Sequence, residues 1–405
     1  MLAGAQLCVF NHNRNILIFV SSQFFAGFVF ASASQQIRTS IIAKGLITMV
    51  ISSFRLLVAA ISLCLLLISS GATTTTQAQA RAYVTNSCSN TVSVIDIDTN
   101  TIVKTVTVGL NPLGVAVTPD GAQVYVANHA STSVSVINTA TDTVVATIPV
   151  GDAPFELAVS PDGARVYVGN EGNQTVSVID TQTNTVVDTI FVGVFPLGVA
   201  VTPDGTRLYV TDIGNDTVTV VDIATDAVVS TIPIRFHPFG VVFTPDGARA
   251  YVQEPNEFLN IIDTATNSVV SHILQDILHD HMTISLDGSS LYVTSPSSNK
   301  VFIIDTSTNA VVNNIPIGAS PIFPALTSDG TRLYTVNVEN TVSVIDTATN
   351  TLVATIPGFD CPLRIAITPV PKSKDECKDG GYKNFRALAF PNQGQCVKYV
   401  NSHQK

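Results

Sequence analysis

The chain has 405 residues, 46% hydrophobic and only 12% charged, with a formal net charge of −10. The acid excess argues against nucleic acid as the main ligand, because neutralising phosphates requires a basic surface. It suits a soluble surface instead.

Residues 1–80 differ from the rest, with four basic residues and no Asp or Glu. Met49 opens a stretch that reads as a secretory signal. Arg55 is its basic residue, 56–69 its apolar core, and Ala78-Gln79-Ala80 a small-x-small cleavage site. Translation is expected to start at Met49, with residues 1–48 a misassigned start; a membrane hairpin is the alternative. The apolar stretch 16–31 is short for a span and broken by Ser and Gln. Processing at residue 80 leaves 16 basic residues against 30 acidic ones, a net of −14, and no stable membrane span.

From residue 81 the chain repeats itself. Tyr-Val-Thr-Asn at 83–86 returns in degraded form at Tyr125, Tyr167, Tyr209, Tyr251, Tyr292 and Tyr334, at intervals of 42 residues, once 41. In one unit a Val115–Val117 run ends at Pro119-Asp120-Gly121. A Val124–Val126 run follows, then Val134–Ile137, a polar turn from Asn138 to Asp142, and Val144–Ile148. Asp-Gly between β-rich runs signals a hairpin, and Asp and Asn favour the second turn through side-chain bonds to nearby backbone. Four short strands per 42 residues describe a β-propeller blade. The Thr/Ser series at Thr118, Ser160, Thr202, Thr244, Ser285, Thr327 and Thr368 reads as turn chemistry.

The chain enters the first unit directly at its second strand and leaves through an isolated first strand near 363–368. The two ends must complete one blade. The expected fold is therefore all-β, a seven-bladed propeller of four-stranded antiparallel blades closed by the carboxy-terminal strand, which leaves no open ring edge.

The tetrad, the Pro-Asp-Gly turn and the Asp-Thr-x-Thr-Asn turn together resemble the YVTN-repeat, YncE-like propeller family over residues 81–369. The resemblance implies an exported seven-bladed propeller and no single activity. Related propellers include surface proteins, nucleic-acid binders, lactonases, and quinone- or haem-linked proteins. The chain has no Trp, so the Trp-Asp signature of another propeller class is absent.

Cys88, Cys361, Cys377 and Cys396 follow the cleavage site, and an even number in an exported chain suggests disulfides. With Asp120-Gly121 as a two-residue turn, position 111 faces position 130. Cys361 and Cys88 are their equivalents, so a Cys88–Cys361 bond is predicted to fasten the ring. Residues 371–405 form a separate small module, for which a Cys377–Cys396 bond is the expected staple.

No Cys-x-x-Cys-His, Gly-x-Ser-x-Gly, phosphate-binding Gly loop or His-Glu-x-x-His occurs. Departures from the repeat remain as candidates. The position of Gly114 reads Glu156, Gly198, Gly240, His281, Phe323 and Arg364 in the later units. One unit carries His279-Asp280-His281 in place of Pro-x-Gly. His237 precedes the neighbouring unit's Pro238, and Arg235 lies two residues before it. Together these seven residues, His237, His279, Asp280, His281, Glu156, Arg364 and Arg235, form the candidate channel-mouth site. The three histidines are the metal candidates, a divalent ion being the one cofactor the residues offer. Acidic residues Glu171, Asp212, Asp216, Glu254 and Glu257 are expected on the same face.

The expected function is an exported, monomeric binding scaffold that presents a rigid loop face to a protein or cell-envelope ligand. The alternatives are a metal-assisted, lactonase-like hydrolase built on the histidines, and single-stranded nucleic-acid binding.

Overall fold

The structure is a computed structural model, and it describes residues 8–12, 15–19, 80–255, 258–274, 281–370, 378 and 396. The chain divides into two units, Met1–Thr75 and Thr76–Lys405. In the first, Cys8–His12 and Asn15–Phe19 pair as an antiparallel hairpin. Residues 49–79, which hold nearly all of the segment read as a secretory signal, and His279, Asp280, Glu257 and Cys377 lie outside the described residues. Among those described, no helix is long and apolar enough to cross a membrane.

The second unit contains seven four-stranded antiparallel sheets. Each blade is denoted by its tetrad tyrosine. In the Tyr125 blade the strands run Pro112–Val117, Gln123–Asn128, Ser133–Asn138 and Thr143–Pro149 from the axis outward. The Tyr83 blade takes its innermost strand, Pro362–Ile367, from the far end of the chain. It pairs with Arg81–Asn86 through Ala82↔Ile367, Tyr83↔Ala366 and Val84↔Ile365. This pairing of the two chain ends is consistent with the predicted ring closure.

Burial explains why the strands carry near-continuous Val and Ile rather than alternating polarity, because each blade is covered on both faces. Tyr125, Val134, Val136 and Ile148 of one blade pack against Leu157, Val166, Val168 and Ile179 of the next. The same kind of cluster joins Tyr83 to Val124 and Val126. The core is thus a series of interblade layers.

Each residue of the tetrad has its own task. The wholly buried tyrosine reaches the next blade's outer turn: the Tyr83, Tyr125, Tyr209 and Tyr334 hydroxyls donate to Asp142, Asn184, Asn267 and Asn100. Those acceptors sit at positive φ, between 48° and 55°, which Asn and Asp tolerate best. The threonine hydroxyl donates to the next blade's innermost strand, Thr85 to the Leu113 carbonyl, Thr211 to Phe239, and Thr294 to Ile322. The asparagine serves its own blade's loops, as described below.

The Thr-Pro-Asp-Gly turns are built as expected from their chemistry. Thr118 Oγ1 donates to Asp120 Oδ1 at 2.6 Å, Asp120 accepts from Ala122 N–H, and Gly121 takes φ 70°. The turn spans four residues rather than two, since Val117 pairs with Val124 and Thr118 N–H with the Gln123 carbonyl.

The outermost strands are the sheet edges. Each carries one extra residue opposite its partner: Val103, Val145, Val187, Val229, Val270, Val312 or Val353. Such bulges break the edge ladder where another strand would otherwise add. Apolar edge residues can therefore stay exposed.

Candidate binding face and channel-mouth cluster

Two sets of loops share one face: the interblade loops, which lead into each innermost strand, and the hairpins between second and third strands. They are locked to each other. Asn128 donates to Ser133 and Ser135 with its amide nitrogen and accepts the Gly109 N–H with its oxygen. Asn90 Oδ1 accepts the Asn111 N–H at 2.8 Å, Asp216 Oδ1 the His237 N–H at 2.7 Å, and Asn340 Oδ1 the Cys361 N–H at 2.9 Å. These bonds hold Asn111, His237 and Cys361 at φ between 40° and 51°, and Ala153 and Phe195 take the same conformation at 52° and 55°. That conformation is uncommon for Phe and costs on the order of 1–3 kcal/mol.

Below the loops, three innermost strands send polar side chains to one point. Arg364 Nε donates to Glu156 Oε1 at 2.7 Å, and His281 Nε2 lies 3.6 Å from the same oxygen. Glu156 belongs to the Tyr167 blade, His281 to the Tyr292 blade and Arg364 to the Tyr83 blade, so the group spans the channel. Phe155, Phe239 and Phe323 wall it. His281 stands edge-on to Phe239 at 5.1 Å and 4.7 Å from Phe323, and the Arg364 guanidinium lies 4.8 Å over Phe323. Burial pushes the Glu156 carboxyl up, but the Arg364 charge and the His281 contact outweigh it and hold the group at about 2.

The repeat alignment therefore brings Glu156, His281 and Arg364 together and leaves two of its other members apart. His237 stacks on Phe236 at 3.9 Å and is tied to Asp216. Arg235 lies 4.7 Å over Phe258. The hydrogen-bonded left-handed turn directs these two into the loop rather than the channel. Among the described residues, the one grouping of three metal-type ligands is Cys88, Asp360 and Cys361, two of which form the disulfide. Glu171 pairs with His129 at 3.3 Å, and Glu254 accepts from Asn260 at 2.6 Å.

The Cys88–Cys361 disulfide is present, with 5.5 Å between Cα atoms. The register behind its prediction slips by one: a bulge after Val84 pairs Asn86 with Pro362 and sets Ser87 N–H on the Cys361 carbonyl. Cys88 reaches its partner from the adjoining turn. Cys396 is disulfide-bonded and buried in the layer with Tyr334 and Val370.

Asp212 stands where Asn86, Asn128, Asn170 and Asn337 stand in other blades. It is fully buried. Burial pushes its carboxyl up to about 6, only partly offset by the Thr219 hydroxyl at 2.6 Å and the Gly193 N–H. Its unfolded value is near 3.8, so the native state holds the extra proton between pH 3.8 and about 6. Stability contributed there falls as pH rises through that window, and the penalty is complete above it. Asp212→Asn restores the repeat's own residue. It is expected to stabilise the protein at pH 7 by up to about 2–3 kcal/mol and to flatten this part of the pH profile. Urea titrations from pH 4 to 7 check this; equal pH dependence in both proteins would contradict it.

The loop face also carries apolar side chains that sequence reasoning did not single out. Phe191, Phe195 and Phe236 are 76%, 49% and 40% exposed, and Leu110 is 54% exposed. They lie at or beside interblade loops, with Gly214 of the neighbouring hairpin closed against Val194 and Phe195.

Seven four-stranded blades with a polar and aromatic cluster at the channel mouth define a β-propeller with a braced loop face. The YncE-like β-propeller profile matches residues 43–165 and 162–250, and the chain belongs to that family. Comparison with curated proteins finds no match. Among solved structures, hydrazine synthase from Kuenenia stuttgartiensis is similar at 24% identity, covering 63% of this chain and 89% of that one, TM-score 0.59. A candidate 6-phosphogluconolactonase from Bacteroides uniformis is similar at 18% identity, covering 72% and 100%, TM-score 0.61. The dihydro-haem d1 dehydrogenase NirN is similar at 16% identity, covering 77% and 76%, TM-score 0.56. At these identities the likeness is one of fold.

Proposed function

We propose that the protein is an exported binding scaffold that engages a cell-envelope ligand through its loop face. The observation that carries this reading is Phe195, half-exposed and held in a left-handed conformation at a loop tip. A bulky aromatic there costs stability and gains nothing in the core, which is a signature of selection for contact. Phe191 and Phe236 extend the apolar surface, and the side-chain-to-backbone bonds keep the loops in one shape, so little entropy is lost on binding. Export rests on the signal-like segment 49–80 and the Cys88–Cys361 bond.

The filled channel mouth favours this reading over hydrolysis. Glu156 is committed to Arg364, and Phe155, Phe239 and Phe323 close around the pair. A carboxyl held near 2 is a poor general base at neutral pH.

The test compares the wild type with Phe195→Asn/Phe236→Ser for saturable binding to isolated cell envelopes. At least a 10-fold loss of affinity is expected, with equal or higher thermal stability, since Asn suits the left-handed site. Unchanged binding would overturn the assignment. Amino-terminal sequencing of the secreted chain tests export; a start at Arg81 is expected, and intracellular retention of the unprocessed chain would refute it.

A further inference from the structure

On the face opposite the loops, three blade junctions carry a cleft of the same build. Their cavity volumes are about 530, 540 and 480 Å³ at the Tyr125/Tyr167, Tyr167/Tyr209 and Tyr251/Tyr292 junctions. These sizes fall in the range of small-ligand sites. The middle cleft is lined by Pro161, Asp162, Ala164, Arg165, Tyr167 and Asp204 among others.

Its chemistry is mixed in a specific way. The Asp162 and Asp204 carboxyls are held below the usual range by the hydroxyls of Ser160 and Thr202, and by backbone N–H groups, so both are ionised. A carboxylate has about four acceptor sites, more than the turn uses. Arg165, paired with Asp226 at 3.2 Å, supplies donors on the same wall. The Tyr167 ring is wholly buried, and its hydroxyl engages Arg165, whereas those of Tyr125 and Tyr209 donate to Asn184 and Asn267. Asp226 stands at this junction in place of the more frequent Asn, and Arg165 engages it.

An anion meets two carboxylates here, and a cation meets a guanidinium. A neutral polyol satisfies both, donating to the carboxylates and accepting from Arg165. Pro161, Ala164 and Ile223 add apolar surface for the C–H face of a sugar ring. The neighbouring clefts keep two Asp each, with Gln123 or Arg249 at the Arg165 position. We propose that these clefts each bind one hexose unit of a neutral polysaccharide, weakly alone and together by avidity.

The experiment uses the full chain. Saturation-transfer NMR with glucose, mannose, galactose and N-acetylglucosamine reads single-site binding. Affinity electrophoresis in dextran, mannan and galactan separates the polymer from the free sugar as source. Ala122→Trp/Ala164→Trp/Ala248→Trp fills all three clefts, and Asp162→Asn, which lines two of them, perturbs the site without bulk. The expected result is a transfer signal in the wild type, retardation by at least one polymer, and roughly a 100-fold loss of polymer affinity in the triple variant. Asp162→Asn, whose amide oxygen can still accept from Ser160 and Ala164, is expected to remain folded and to lose about 10-fold. No transfer signal from any of the four sugars overturns the proposal. So does polymer retardation that both folded variants leave unchanged.

Discussion

The Cys88→Ser/Cys361→Ser variant is expected to unfold about 4–5 kcal/mol more easily than the wild type. The bond joins residues 273 positions apart, so it closes nearly the whole propeller into one loop. In the chain-entropy view, the unfolded state loses most when the loop is long. The folded state meanwhile gives up little without it, because Pro362–Ile367 still pairs with Arg81–Asn86 and Tyr334 still reaches Asn100. With total stabilities of about 5–15 kcal/mol, this is a large share. Urea unfolding of oxidised wild type, reduced wild type and the double variant checks it. Reduced wild type, which also loses the Cys396 bond, should be no more stable than the double variant. A variant within about 1 kcal/mol of the oxidised wild type would show that closure rests on strand pairing alone.

Arg364→Ala is expected to cost about 3–5 kcal/mol, the other large effect. It strands the Glu156 carboxylate, side chain 18% exposed, beside Phe155 and Phe323. The double replacement Glu156→Gln/Arg364→Met removes both charges and should cost clearly less than the single change, the difference being the coupling of the pair. The pH dependence has a definite sign. The folded carboxyl sits at about 2 against an ordinary 4.5, so its contribution is complete above about pH 4.5 and lost as pH falls toward 2. Wild type should weaken through that window more than Glu156→Gln. Parallel acid profiles would contradict the paired assignment.

Architecture was legible because a 42-residue period with turn residues at fixed offsets leaves one fold. The tetrad's meaning was not, since its bonds run to neighbouring blades: nothing in Tyr125 itself points to Asn184. At the channel mouth, aligning repeats isolated Glu156, His281 and Arg364, because equivalent positions in a ring sit at one level and their side chains can meet. The alignment failed for His237, where the bond its N–H donates to Asp216 and a positive φ turn the residue into its loop. Phe155 and Phe239 were passed over for another reason. They occupy the position of Leu113 and Leu197, so an apolar residue there reads as core packing. Phe195 looked like any loop residue until its backbone angle was known. The disulfide was found through a register that a bulge then shifted by one, which two flexible turn positions absorb.

The most direct test of the loop face as the functional surface is hydrogen exchange of the full chain with and without saturating isolated envelopes. The binding account predicts slowed amide exchange in the interblade loops at 109–111, 193–195 and 235–237, and none at the Pro-Asp-Gly turns from the same ligand. Protection confined to the channel strands at 154–159 and 362–367, with the loops unaffected, would contradict it.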